Sequence, residues 1–347
     1  TGLGLRDSVG KLSHTQYGEI IKYDLSITLK DKEVEEERDY LADFLADPQK
    51  VETVVEVYNE TGKAIAGEED LSASVYVPKD PGELSEVIGL RDRKSQEPFE
   101  FNDNSVFMAE KLAESLGLKP GDTFIYENTD GKQGEFVLTG ITENYVGTYI
   151  YINSQDYFEA LNEKPRYNTL LAKTYISGEE EKDQVLTSIL DSERVSNAQF
   201  TSQTKGTFDN LLSSIDYIVV VIILAAGALA VIVLYNLTNI NINERNKELA
   251  TLRVLGFHHR EVGSYIFREI SILSLIGTLV GLVLGIFLFD FVILTAESPE
   301  FMFGRDLQPS AFVFAALLTL FFSALVDVIM YQKLKKIQMV ESLKTVD

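Results

Sequence analysis

Three long uncharged runs mark the second part of the chain. The first, Tyr217–Tyr235, holds 19 residues, of which 12 are Val, Ile or Leu. At about 1.5 Å per residue a helix of this length reaches roughly 28 Å, close to the hydrocarbon thickness of a bilayer. Ile270–Phe289 is the second run, and Ser310–Tyr331 is the third, interrupted only by Asp327. These runs favour membrane spans over buried soluble helices. The three predicted spans are about 216–237, 268–292 and 310–331.

The first 210 residues contain shorter runs in which apolar and polar positions alternate, as in half-buried strands and amphipathic helices. The predicted strands are Glu19–Leu29, Val51–Tyr58, Ser72–Val77, Phe124–Tyr126, Glu135–Ile141, Tyr149–Ile152 and Thr169–Ala172. The predicted helices are Lys32–Ala46, Ser105–Leu116, Ser154–Leu161 and Glu179–Leu190. The sequence therefore predicts an α+β domain of two lobes over residues 1–210, followed by an all-α bundle of three membrane helices over 211–347.

Charge is distributed very unevenly between these two parts. Residues 1–210 hold 41 Asp and Glu against 21 Lys and Arg, whereas residues 211–347 hold 12 against 10. A domain with a net charge of −20 is unsuited to nucleic acid, because that binding needs cations to neutralise phosphates. The absence of cysteine excludes disulfides, thiolate nucleophiles and Cys-ligated zinc.

The basic residues predict the orientation in the membrane, because short cytoplasmic loops are enriched in Lys and Arg. Nine basic residues flank the spans on one side, and only Arg305 lies in the loop 291–309. The nine are Arg245, Lys247, Arg253, Arg260, Arg268, Lys333, Lys335, Lys336 and Lys344. We therefore expect a multi-pass protein of the cell membrane with residues 1–210 outside and the C-terminus in the cytosol. A further span upstream of Thr1 is expected, to carry the acidic domain across.

The predicted cytosolic loop between the first two spans contains an amphipathic helix. Its apolar face holds Ile242, Leu249, Leu252 and Leu255, and Gly256 is a typical helix stop. The charged residues of this helix are Arg245, Lys247, Glu248 and Arg253. Such a helix lies on a membrane surface or docks a cytosolic partner.

The run NERNKELATLRVLGFHHREV, residues 243–262, resembles the C-terminal transmembrane block of FtsX/MacB-type ABC transporter permeases. The tail Met339–Lys344 is similar to the usual ending of that family. The stretch Met108–Asp122 is similar to the MacB-type extracytoplasmic domain, in which a smaller lobe, here about 80–167, is inserted into a larger βαβ lobe.

The resemblance implies a permease subunit without enzymatic activity, working as a dimeric or two-half assembly in the lipid membrane. A separate cytosolic ATPase would bind ATP and Mg²⁺ and dock against Glu244 to Glu261, so no cofactor is expected in this chain. The residues implied in ATPase coupling are Glu244, Arg245, Lys247, Glu248, Thr251, Arg253, Gly256 and Arg260.

Within the second predicted span, Gly277, Gly281 and Gly285 fall four residues apart on one helix face. This spacing lets two helix backbones approach closely and predicts a helix-packing face. Asp290 and Asp327 lie near the ends of spans. Carboxylates there either mark an ion path or, as we favour, sit at the membrane interface or pair with a basic residue.

Candidate chemistry is sparse in the acidic domain. The runs Glu33–Glu37 and Glu179–Glu181 favour solvated helix faces over a cation site or a surface for cationic peptides. No Walker A, HExxH or GxSxG motif occurs, and no metal site is predicted. The sequence favours a permease that transmits ATP-driven motion to its outer domain, for export or extraction of a peptide, lipid or lipoprotein. A regulator that activates a cell-wall hydrolase is the alternative, and a membrane-anchored enzyme is the third hypothesis.

Overall fold

The computed structural model describes residues 2–30, 40–305 and 307–335. Contacts divide the chain into two compact units. The sheet unit consists of Val9–Leu212 together with Ala296–Gly304. The helix unit contains the chain before residue 9, Ser213–Thr295 and the chain from Arg305 onward. Ala296–Gly304 therefore packs within the sheet unit, although the sequence analysis places it with the membrane spans.

Helices and strands alternate through the sheet unit, and long helices fill the helix unit. The described helices are α1 (Gly2–Thr15), α2 (Tyr40–Leu45), α3 (Leu84–Val87), α4 (Glu110–Leu116), α5 (Ser154–Leu161), α6 (Glu179–Leu190), α7 (Thr201–Glu244), α8 (Asn246–Val254), α9 (His259–Ala296) and α10 (Pro309–Lys335). The strands are β1 (Leu25–Leu29), β2 (Val51–Ala66), β3 (Glu69–Pro78), β4 (Val106–Ala109), β5 (Thr123–Glu127), β6 (Gln133–Val137), β7 (Gly140–Thr142), β8 (Tyr149–Ile152), β9 (Thr169–Thr174) and β10 (Val195–Phe200).

The ten strands form one mixed sheet in the order β10-β1-β9-β2-β3-β8-β4-β7, with β5 paired to β2 and to β6. The β3–β8 and β4–β7 pairs are parallel, and the other pairs are antiparallel. β2 is 16 residues long and joins two regions of the sheet. Its first part, from Val51 to Val57, pairs with β9, and its second part, Lys63 to Ile65, pairs with β5.

A two-residue turn makes the long β2–β3 hairpin possible. Ala66 pairs with Glu69, so only Gly67 and Glu68 connect the two strands. Gly67 has a φ of +62°, which glycine adopts without the steric penalty that a Cβ would bring. The tight turn fixes the register of the ten residue pairs that follow.

Three apolar clusters form the core of the sheet unit. One packs α4 and α5 against β3, β4 and β8, with Tyr126 and Leu112 fully buried. A second gathers α2 and α6 against β1, β9 and β10, and a third lies around Val57 and Leu171. The first cluster also draws Ala64 and Ala73 from the β2–β3 hairpin. It thus extends beyond the predicted inserted lobe, whose boundaries stay a prediction.

The observed architecture confirms the predicted α+β domain followed by three apolar helices. Most predicted strands overlap observed ones, and α5 and α6 have the predicted bounds. The prediction of a strand from Glu19 was wrong, because Gln16–Ile20 is a π-helical turn and β1 begins at Leu25. Of the predicted helix Lys32–Ala46, only α2 falls within the described residues. The acidic run Glu33–Glu37 lies outside them.

Further elements differ from the prediction. The run Glu135–Ile141, predicted as one strand, belongs to two strands, β6 and β7, with different partners. The helix predicted over Ser105–Leu116 begins only at Glu110, because Val106–Ala109 forms β4. All four β4 residues are buried, so this strand shows no apolar and polar alternation. The strand Val195–Phe200 was not predicted.

Among the described residues, the helix unit contains three helices that are long and apolar enough to cross a membrane. They are Tyr217–Glu244, Glu261–Ala296 and Pro309–Lys333. The second and third predicted spans fall within these helices, and the first begins one residue before Tyr217. The first belongs to α7, a single helix of 44 residues that begins at Thr201, directly after β10.

Candidate ATPase-coupling loop and membrane helices

The predicted coupling residues lie where α7 ends, along α8 and at the start of α9. Glu244 is the last residue of α7, and Arg245 separates it from α8. Leu249 and Ala250 of α8 are buried, and Leu249 packs in an apolar cluster with Ile242, Val262 and Met330. Burial of this face anchors α8 to the ends of the long helices and leaves its other face free.

Arg245 is an ion-pairing residue in this loop. Its guanidinium Nη1 lies 2.8 Å from a carboxylate oxygen of Glu269 on α9. Both side chains are partly exposed, so the pair contributes little stability. It does hold the α7–α8 junction against α9, and it gives Glu269 a basic partner other than the adjacent Arg268.

The remaining predicted coupling residues divide into an exposed set and two with undescribed side chains. Glu244, Lys247, Glu248 and Thr251 are exposed. The hydroxyl of Thr251 donates to the carbonyl of Lys247 at 2.9 Å, within the helix. Arg253 in α8 and Arg260 in α9 have helical backbones, but their side chains lie outside the described residues. The exposed face of α8 thus presents both signs of charge.

The turn after α8 depends on Gly256, which has a φ of +96°. The amide of Phe257 donates to the carbonyl of Leu252 at 3.2 Å, which is the hydrogen bond of a Schellman helix end. His258 then begins the next helix. Its amide donates to Glu261 Oε2 at 2.7 Å, as in a capping box. These two caps define a tight α8–α9 connection.

This tight connection exposes an apolar patch that the sequence analysis missed. Val254 is 69%, Leu255 70% and Phe257 46% exposed. The sequence placed Leu255 on the same apolar face as Leu249, but Leu249 is buried and Leu255 is not. The three side chains lie beside the charged positions of α8. We call Val254, Leu255 and Phe257 the loop patch.

The predicted glycine row makes no contact with another helix among the described residues. A Cβ built at Gly277, Gly281 or Gly285 would meet no atom within 4 Å. Gly281 and Gly285 line an apolar groove of about 410 Å³ instead. Close packing occurs elsewhere, because a Cβ at Gly227 of α7 would lie 2.5 Å from the ring of Phe322 on α10. The packing role of the row stays a prediction.

Residues 220–339 match the family model of the FtsX-like permease C-terminal domain. This part of the chain is an FtsX-like permease C-terminal region. The match includes the run 243–262, so it confirms the resemblance that those residues predicted. Permeases of this family are membrane components of ABC transporters, and the family implies an ATPase partner for this permease.

Two solved structures are similar to part of the permease. The periplasmic region of MacB from Actinobacillus actinomycetemcomitans is 13% identical, with a TM-score of 0.35, over 55% of this chain and 94% of that one. The extracellular domain of the noncanonic ABC-type transporter YknZ from Gram-positive bacteria is 17% identical, with a TM-score of 0.32, over 51% of this chain and 98% of that one. No curated protein matches the chain. The family assignment rests on residues 220–339.

The carboxylates of the membrane helices occupy different environments in the permease. Asp290 is exposed at the end of α9. Asp327 of α10 accepts a hydrogen bond of 3.4 Å from the hydroxyl of Ser271 on α9. One turn away, the hydroxyls of Ser274 and Ser323 lie 2.9 Å apart. These polar contacts join α9 to α10, which is the role that hydroxyl side chains commonly play between membrane helices.

Proposed function

We propose that this permease couples ATP hydrolysis by a separate cytosolic ATPase to movement of its extracytoplasmic sheet unit. The ATPase binds at the α8 loop, and the long helices carry the motion outward. The same motion serves export or extraction of a peptide, a lipid or a lipoprotein, or activation of a cell-wall hydrolase.

The single observation that carries this proposal is the continuity of α7. The helix begins at Thr201 in the sheet unit and ends at Glu244 beside the coupling loop. At 1.5 Å per residue, its 44 residues form a rod of about 66 Å. It contains no proline, the commonest cause of sharp kinks. A displacement of its loop end therefore reaches its other end with little loss.

The first residue of α7 is tied directly to the sheet. The amide of Thr201 donates to the carbonyl of Asp24 at 2.7 Å, and its hydroxyl donates to the carbonyl of Tyr23 at 2.8 Å. Phe200, which precedes it, is 1% exposed in the core and ends β10. A movement of α7 is thus delivered to β10 and to the start of β1.

The loop patch and its charged neighbours provide the chemistry for docking an ATPase. Exposed apolar side chains rimmed by polar ones are typical of protein–protein contact sites. Leu255 and Phe257 supply apolar contact area, and the charges of Lys247 and Glu248 fix the orientation in which the ATPase docks. The basic residues around the loop support a cytosolic position for it by the positive-inside rule, with the sheet unit on the outer side.

Motion is favoured over a channel because the two grooves that lie between different spans have no charged lining residue, and Arg268 lines only a groove along α9. The groove of about 410 Å³ is lined by apolar side chains and glycines, with Thr319 as its one hydroxyl. The smaller groove, of about 250 Å³, adds Ser274, Thr278 and Ser323 but no ionised group. A polar cargo would find few hydrogen-bonding partners there.

We propose that two such permease halves assemble around the ATPase.

The double variant Glu248→Ala/Arg253→Ala tests the docking site in full-length permease purified with its ATPase in lipid nanodiscs. We expect the permease to stay in the membrane and the ATPase rate to lose its dependence on the permease. Leu255→Ser should have the same effect through the loop patch. Lys119→Ala/Glu135→Ala, which removes two exposed charges from the sheet unit, is the matched control. Unchanged coupling in both loop variants would contradict the proposal.

A further inference from the structure

The segment Ala296–Gly304, which joins α9 to α10, packs within the sheet unit. We call this segment the strap. Its Glu297 side chain is completely buried and lies 2.6 Å from the ammonium of Lys111 on α4, which is 16% exposed. The second oxygen of Glu297 accepts from the amide of Phe303 at 3.2 Å. The strap is therefore fastened to α4 by an ion pair that water barely reaches.

Backbone hydrogen bonds fasten the strap at a second place. The amide of Met302 donates to the carbonyl of Tyr145 at 2.9 Å, and the amide of Gly147 donates to the carbonyl of Glu300 at 2.8 Å. Between them, Val146 and Phe301 form an antiparallel bridge. These bonds lock the strap in register against the segment Tyr145–Gly147.

The segment around Tyr145 also forms hydrogen bonds with Gln16, which directly follows α1. Gln16 is 1% exposed, donates to Asn144 Oδ1 at 2.9 Å, and accepts from the amide of Tyr145 at 2.9 Å. Next to it, Tyr145 donates its hydroxyl to Glu143 at 2.6 Å. Burial raises the pKa of Tyr145, and this hydrogen bond raises it further, so the hydroxyl remains a donor.

An aromatic ladder adds the third connection, through α7. The rings of Tyr17 and Phe208 meet edge to face at 5.8 Å, and those of Phe208 and Phe301 stack at 6.4 Å. Tyr17 follows α1, Phe208 belongs to α7 and Phe301 belongs to the strap. Within the sheet unit, residues that follow α1, begin α7 and form the strap thus contact one another.

We infer that the strap is a coupling element in its own right, and that Lys111 and Glu297 are its positioning residues. This inference rests on the proposed movement of the sheet unit. A displacement of α9 and α10 reaches α4 through the Lys111–Glu297 pair, in parallel with the route through α7 to β10. Loss of the Glu297 charge leaves the largely buried Lys111 with the longer 3.9 Å contact to Glu114, which favours release of the strap.

Docking of the strap can be tested without any ATPase. The chain has no native cysteine, so Val146→Cys/Phe301→Cys in full-length permease gives a single cysteine pair. Side chains directly opposite in an antiparallel pair lie about 4.5–5.5 Å apart at Cβ, close enough for a disulfide after a small adjustment. We expect near-complete cross-linking in membranes. Glu69→Cys/Phe301→Cys, with one cysteine at the hairpin tip, is the control. An uncross-linked Val146/Phe301 pair would overturn the inference.

Coupling through the strap is tested with Glu297→Gln, and Glu300→Gln is the matched control on an exposed strap residue. The readout is the ATP- and vanadate-dependent change in hydrogen exchange of the α4 peptide, in full-length permease with its ATPase. We expect Glu297→Gln to lose at least half of the change and Glu300→Gln to keep it. Oxidising the Val146/Phe301 cysteine pair in the Glu297→Gln background should restore it.

The outcomes separate the strap from the proposed function. If the parent permease responds to ATP and Glu297→Gln responds equally, the strap does not carry motion and the proposed function stands. Failure of the disulfide to restore the Glu297→Gln response would mean that the buried charge does not act by holding the strap. If the parent itself shows no response, both the movement and the strap's part in it are wrong.

Discussion

The sheet unit and the helix unit place the same kinds of side chain in opposite surroundings. Leu112 and Ile150 of the sheet unit are completely buried. In α9, Leu284 is 61%, Phe287 67% and Phe291 66% exposed. The sheet unit removes its apolar residues from water by packing them on each other, whereas the helices leave theirs at the surface. Lipid takes the place of protein neighbours there.

The difference determines which contacts stabilise each unit. Apolar burial from water is the main stabilising term in the sheet unit. Between helices in lipid that term is absent, and association depends on close backbone approach and on hydrogen bonds. Gly227 beneath the ring of Phe322, and the Ser274–Ser323 contact, are contacts of this second kind. A leucine side chain therefore contributes more to stability in the sheet unit than at the surface of the helix unit.

The largest expected effect comes from truncating one leucine in each unit. Leu112→Ala should destabilise the sheet unit by about 2–5 kcal/mol, because it removes a fully buried side chain and leaves a cavity. Leu284→Ala, which removes an exposed side chain of α9, should leave that stability unchanged. Hydrogen exchange of sheet-unit peptides in the full-length permease measures both. Equal destabilisation would break the comparison.

The second effect is expected at the glycines. Gly227→Leu places a side chain where Phe322 already lies, and we expect it to destabilise the packing of α7 and α10 by about 1–3 kcal/mol. Gly281→Leu has open space in this chain and should leave that packing intact. It should instead weaken assembly with another helix. Detergent titration of helix unfolding and native mass spectrometry separate these results. Parent-like assembly of Gly281→Leu would show that the row faces lipid.

The smallest expected effect is that of adding chelator to the isolated acidic domain, where we expect no change in stability. Residues 15–205 alone should fold as a soluble domain with a cooperative thermal transition that chelator does not shift. Its clusters are self-contained, and its acidic surface should keep it dispersed at neutral pH. Among the described residues, no group of three or more His, Cys, Asp or Glu could hold a metal ion. Aggregation without detergent, or a chelator-dependent melting temperature, would contradict this expectation.

The sequence predicted the membrane helices because each is marked by a long uncharged run, a local signal. It also predicted the helix α8 and its end at Gly256, since the charged positions, the apolar face and this glycine all lie within about 20 residues. The sequence analysis did not predict that Leu255 is exposed. The left-handed turn at Gly256 ends α8, so helical periodicity no longer describes the residues that follow.

Non-local contacts account for most of the other differences. β4 reads as a helix because Met108 and Ala109 are good helix formers, and only burial on both faces makes the segment a strand. The strap is too short for any periodicity, and Glu297 meets Lys111 across 186 residues of sequence. Pattern analysis of a single chain has no signal for such a pair.

The position of β1 in the sheet constrains how the protein is made. β1 spans Leu25–Leu29, yet its two neighbours are β9, at Thr169–Thr174, and β10, at Val195–Phe200. With synthesis at about 5–20 residues per second, β1 waits roughly ten to thirty seconds for its partners. The sheet therefore cannot close until about residue 200 has been synthesised. Late closure of the sheet is built into the order of its strands.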